Sequence, residues 1–215
     1  MSIQRQTSWN RRAAAILTSV LALTILCYQS VQSAPSQLVA SVGKPEALNS
    51  QTVSMVKTVL SYLRANGDTG TIVFVRDMKG GPNDVTFWRA SRKQNPDNIP
   101  DRLFERYASD RSPSRVVPKI PGVRNVLWVR DEDIKAVFGD PNHLPVVGWR
   151  KFHRRYRKAC GVFFVGVPVL SEDGTKALIG FGLQRGIVGG HGGVLYLEKR
   201  SRNWTVLSLV NAYVS

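Results

Sequence analysis

The sequence predicts an α+β fold in which a curved antiparallel sheet, ending in a C-terminal four-strand meander, packs against two or three helices. Three observations carry that expectation. Val53, Val56, Leu60 and Leu63 recur at helical spacing near the start of the body. β-Rich runs joined by short polar or glycine-rich connections fill the chain after Gly161, the pattern of consecutive antiparallel strands. A hydrophobic content of 43% over 215 residues is enough for one core.

Residues 1–34 read as a secretory signal peptide. A cationic start (Arg5, Arg11, Arg12) precedes an apolar run from Ala13 to Leu26 and a polar exit around Gln29, Gln32 and Ser33. The apolar run, about 14 residues, falls short of the roughly 20 that cross a bilayer core, so cleavage is expected and the mature chain has no transmembrane helix. Ala13, Ala14 and Ala15 after the arginine pair do not make a twin-arginine signal, and the bulky Leu26 before Cys27 argues against lipidation. Residues 35–45 form a tether and 46–215 a single α+β domain, exported to the periplasm or the extracellular space.

Within that domain the spacing predicts a helix from Asn49 to Ala65, closed by Gly67. A strand follows over 70–77. Prolines at 82, 96, 100, 113, 118 and 121 then forbid long regular elements, so 79–124 reads as a surface excursion with a short helix over Asp101–Tyr107. Val126–Val129 reads as a strand and Asp131–Phe138 as a short helix whose first-turn acids suit the positive end of its dipole. A helix over 149–158 leads into strands at 162–169, 176–183, 193–198 and 204–210, with Gly166, Gly180 and Gly182 marking bulges or bends.

Net charge is +15, and +12 remains once residues 1–34 are removed. Such a field favours anionic partners, which outside the cytoplasm means an anionic polymer, a lipid headgroup or an acidic protein; sequence-specific recognition of nucleic acid is not favoured. The 149–158 segment concentrates the charge. At 100° per residue Trp149, Phe152 and Tyr156 share one face, while Arg150, Lys151, Arg154, Arg155, Arg157 and Lys158 spread over the other with no acid among them. Like charges at this spacing cost a helix a few tenths of a kcal/mol per pair, roughly, which marks those six residues as the candidate anion-binding set; the other reading of them is a solvated face beside an aromatic core stripe.

Chemistry-bearing motifs are scarce. The run Gly186 to Gly193 lacks both the lysine and the following helix of a phosphate loop, so it reads as a mobile hairpin connection carrying His191. His143, His153 and His191 are too scattered to define a metal site, and no catalytic residue or cofactor is predicted. Cleavage leaves Cys160 as a single thiol, a small hydrophobe before an apolar strand. Asn203-Trp204-Thr205 is a glycosylation sequon, meaningful only in a eukaryotic host. The function these features favour is a basic, non-catalytic binding or envelope-associated protein; the alternative is a hydrolase acting on a cell-envelope or extracellular polymer.

Trp149, Phe152 and Tyr156, then Ser171, Asp173 and Gly174 with Ala177, then Gly186, Gly190 and Gly192, and finally Leu195 and Trp204 together form a recognisable series. It resembles the pattern of an uncharacterised family of exported bacterial proteins with a Trp-x-x-Phe-x-x-x-Tyr helix, a Ser-x-Asp-Gly hairpin and a glycine-rich loop. The loop cysteines of that family are replaced here by Arg185 and Gly189, so no disulfide or redox role carries over. The resemblance implies export and one α+β domain, and no catalytic residue.

Overall fold

The computed structural model describes residues 50–81, 99–139 and 145–214, the last four as backbone. The signal-peptide and tether expectations, Cys27 and His143 lie outside these residues.

The chain is α+β. Helix α1 (Ser50–Ala65) is followed by strands β1 (Thr71–Val75) and β2 (Asp77–Met78), helix α2 (Asp101–Ser109) and strands β3 (Arg115–Val116) and β4 (Val126–Val129). Helices α3 (Asp131–Phe138) and α4 (Pro145–Arg155) then lead into β5 (Ala159–Val165), β6 (Val169–Leu170), β7 (Lys176–Gly186), β8 (Gly189–Arg200) and β9 (Asn203–Val214). Seven strands form one mixed sheet in the order β4-β1-β5-β7-β8-β9, with β6 paired to β7, while β2 and β3 make a separate antiparallel ribbon.

The expected antiparallel meander is present as β5, β7, β8 and β9. The other half of the sheet differs, because β1 pairs in parallel with both β4 and β5. The physical reason is that helices cover both faces at this end, which requires crossover connections and strands apolar on both sides, such as Ile72-Val73-Phe74-Val75.

Strand alternation sorts the core into two faces. On one, α1 buries Met55, Val56, Val59, Leu60 and Leu63 against Ile72, Phe74, Phe163, Ile179, Phe181, Leu183, Leu195 and Leu197. On the other, α2 covers the meander through Leu103, Phe104 and Tyr107 against Leu178, Val194 and Tyr196. There too, α3 and α4 cover β1 and β5 through Val137, Trp149 and Phe152 against Val73, Val75 and Val162. Each fully buried large apolar side chain contributes about 1.5–3 kcal/mol.

Two expectations need correction. Leu103, Phe104 and Tyr107 of the short helix face inward as its pattern implies, but the rest of 79–124 is not a surface excursion throughout: Ile99, Val117 and Ile120 are core residues, because prolines limited the length of the elements there without making them polar. Nor is Gly186 to Gly193 a loose loop. Only Ile187 and Val188 turn, and from Gly189 onward the glycines sit in β8, paired to β7 from Gly186 back to Phe181. A side chain at Gly190 would put its Cβ 2.6 Å from Gln184 Oε1 and 2.9 Å from the Leu183 carbonyl, so close packing of the strands requires glycine there.

Candidate functional site

The cations of the 149–158 segment are placed by the packing of α4. Its apolar stripe docks on α3, with the Phe138 and Trp149 rings 5.1 Å apart and the Trp149 and Phe152 rings 5.2 Å apart. Gly148 permits the approach, since a Cβ there would lie 2.5 Å from the Phe138 ring. With Trp149 and Phe152 buried, Arg150, Lys151, Arg154 and Arg155 are exposed.

The helix ends at Arg155, three residues earlier than the periodicity suggests. Arg157 and Lys158 therefore lie in the turn into β5, not on the helical arc, and Tyr156 is half-buried against Phe152. This turn has a consequence for the site. Arg154, Arg155, Arg157 and Lys158, with Tyr156, wall one side of an open cleft of about 480 Å³ whose other side is Thr71, Asn125, Val126 and Leu127 at the starts of β1 and β4. Arg150 and Lys151 are exposed on α4 but do not line it.

Among the described residues, one of the six cations has an acidic partner: Arg155 Nη2 lies 3.1 Å from Asp133 Oδ1 on α3. The expectation that no acid offsets the cluster is corrected at that position, because α3 brings its first turn alongside α4. The same Asp133 accepts from the backbone N–H of Arg130 at 3.2 Å, and Asp131 pairs with Lys135 at 2.9 Å. These acids thus work as caps and local ion-pair partners.

His191 occupies a different environment from the one its sequence context suggests. It sits in β8 opposite Leu183, a third exposed, with Nε2 3.1 Å from Oδ2 of Asp68. Asp68 is buried and also paired with Arg185 of β7. Burial, and then the Arg185 charge, lower the pKa of His191 below the ordinary imidazole value. The Asp68 carboxylate at Nε2 pulls the other way.

Asp68 is held by the end of α1. Gly67 takes φ +94°, Asp68 N–H donates to Leu63 O at 3.1 Å and Gly67 N–H to Arg64 O at 3.3 Å, which is a Schellman ending. The Arg64 guanidinium then donates to the carbonyls of Asp68, Gly70 and Asn125. Half-buried Cys160 packs under this connection, where a Cβ on Gly70 would lie 3.0 Å from its Sγ. The sequence reading picked out His191 and the end of α1 separately but missed Asp68 and Arg185, whose only local signals are an ordinary turn and one more basic residue.

Among the described residues no group of histidine, cysteine and acidic side chains is arranged to hold a metal ion, and no helix is long and apolar enough to cross a membrane. Compared with protein-family models, curated proteins and solved structures, the chain matches none.

Proposed function

We propose that this is an exported, envelope-associated or secreted binding protein that takes an anionic polymer into the cleft between the α4–β5 turn and the starts of β1 and β4. One observation carries the reading: Arg154, Arg155, Arg157 and Lys158 converge on a single cleft, and among the described residues an acid, Asp133, offsets only Arg155. Cations held around a concavity focus the field there, whereas cations scattered over a convex surface are screened within about 10 Å at ordinary ionic strength. The exposed Leu127 adds an apolar contact beside the charges. A polymer suits an open cleft better than a small enclosed ligand does, because it gains from repeated weak ion pairs along its length.

The test is charge reversal in two variants of equal net charge. Arg154, Arg157 and Lys158 replaced by Glu should abolish salt-sensitive retention on immobilised heparin with the melting temperature nearly unchanged. Arg106, Lys119 and Arg202, exposed and outside the cleft wall, supply the control set. Equal loss of retention in both variants would mean that overall charge alone acts, and would remove the cleft from the account.

A further inference from the structure

We infer that Asp68, His191 and Arg185 form a general-base site for the hydrolysis of carboxylic esters, with His191 as the catalytic residue and Asp68 as the residue that positions it. This goes beyond the binding reading and does not depend on it. Asp68 is the charged residue buried in the described core, 4% exposed, and it is met there by side chains from two adjacent strands. Stability alone is a poor reason for such a cluster, since well-packed apolar groups in place of a buried ion pair are often as stable or more so. A buried carboxylate orienting a partly exposed imidazole is instead the arrangement that acid–base chemistry uses.

Each group has a distinct task. Asp68 faces Nε2 and fixes the tautomer with the proton on that nitrogen, which leaves the Nδ1 lone pair as the base. Arg185 neutralises Asp68, so His191 need not be charged to satisfy it, and its 45% exposed guanidinium keeps donors to spare for a substrate. Gly161 lets β5 approach β7 here: a Cβ there would lie 2.5 Å from the Gln184 carbonyl oxygen and 3.2 Å from Arg185 Cγ. Asp68 from the α1–β1 connection and Arg185 from β7 are the charged groups that face His191 among the described residues, with the Phe181 ring 6.5 Å away edge-on.

In the step, Nδ1 takes a proton from water as the water oxygen bonds to the ester carbonyl carbon. The oxyanion so formed lies against Arg185. Its collapse breaks the bond to the alkoxide leaving group, which takes the proton back from the imidazolium, giving acid and alcohol with no net change at His191. One cation already shared with a carboxylate matches the single charge of this oxyanion better than the greater charge of a phosphoryl transfer.

The experiment follows p-nitrophenyl acetate hydrolysis by the purified protein across pH. The wild type should exceed equimolar free imidazole, with a rate that rises through a midpoint below the ordinary histidine value and then levels. His191→Ala and His191→Gln should each lower kcat/KM by about 10²-fold, the usual worth of a general base. Asp68→Asn should lower kcat with KM unchanged, and Arg185→Gln should raise the midpoint pH, a change that a purely structural role would not produce. Wild-type turnover no faster than imidazole overturns the proposal, as does full activity in a folded His191→Gln variant or an unmoved midpoint in Arg185→Gln.

Discussion

At the scale of single residues the decisive placements come from backbone geometry rather than from side-chain type. Gly67 adopts a left-handed conformation that ends α1 and turns Asp68 inward; in sequence this is only a helix stop. His191 gains meaning once β7 and β8 pair, because the register sets it opposite Leu183, and the irregularity between Gln184 and Gly186 leaves Arg185 unpaired in the ladder, with its guanidinium on Asp68. That register is invisible in a run of glycines, which carries no hydrophobic alternation. The lowered pKa of His191 has a consequence for stability. In the unfolded chain the imidazole binds its proton near pH 6.5, while in the fold burial and Arg185 make it bind later. The unfolded state therefore takes up more protons as pH falls from 7, and stability should decline over that range until the folded imidazole also titrates. Urea unfolding of the wild type and His191→Gln between pH 8 and 5 should show a steeper acid decline in the wild type. Equal slopes, or stability rising on acidification, would mean that the Asp68 carboxylate outweighs burial and Arg185.

At the scale of elements, legibility followed the strength of the local pattern. Helix α1, strand β4 and helix α3 were readable nearly to the residue, because apolar spacing, turn residues and acidic first turns agree there. The end of α4 was not, since its basic residues continue the helical pattern past the point where Ala159 must join β1 and β5 must begin. That early stop delivers Arg157 and Lys158 to the cleft. Glycines in strands were legible as irregularities but not as contacts. Gly180 is the clearest instance: a Cβ there would lie 2.5 Å from the hydroxyl of Tyr107, which α2 holds buried on that face of the sheet. Gly180→Ala should therefore cost about 1–3 kcal/mol by overpacking. Made in a Tyr107→Phe background, the same change should cost much less, because the hydroxyl it strikes is gone. Chemical denaturation of the four proteins of this double-mutant cycle measures the coupling. Strict additivity would show that Tyr107 is not the obstacle.

At the scale of the whole molecule the antiparallel half of the sheet was foreseeable and the parallel half was not. Hairpin connections announce themselves through turn residues between neighbouring strands, whereas β1, β4 and β5 meet only after crossovers through α2, α3 and α4. Topology also gathers the two candidate sites. Thr71, Asn125 and Lys158 at the cleft, and Asp68 and Arg185 of the ester site, all belong to the sheet end where β1, β4 and β5 start and β7 finishes. The described core is built from residues between Thr52 and Val210, within the compact unit Lys44–Ser215. Among the described residues, neither the cleft nor the His191 cluster draws on one before Arg64. Removing residues 1–34 takes away three arginines and leaves a net charge of +12, so the field around the cleft persists. If export and cleavage follow the signal-peptide reading, mass spectrometry of the secreted protein should find its N-terminus between Ser30 and Ser36. A chain starting at Pro35 should then melt at the temperature of the full-length protein and keep its salt-sensitive retention on heparin. An intact Met1 would overturn the export reading. A lower melting temperature for the shortened chain would show that the preceding segment contributes to the core, and loss of retention at unchanged stability would move the anion-binding surface to residues 1–34.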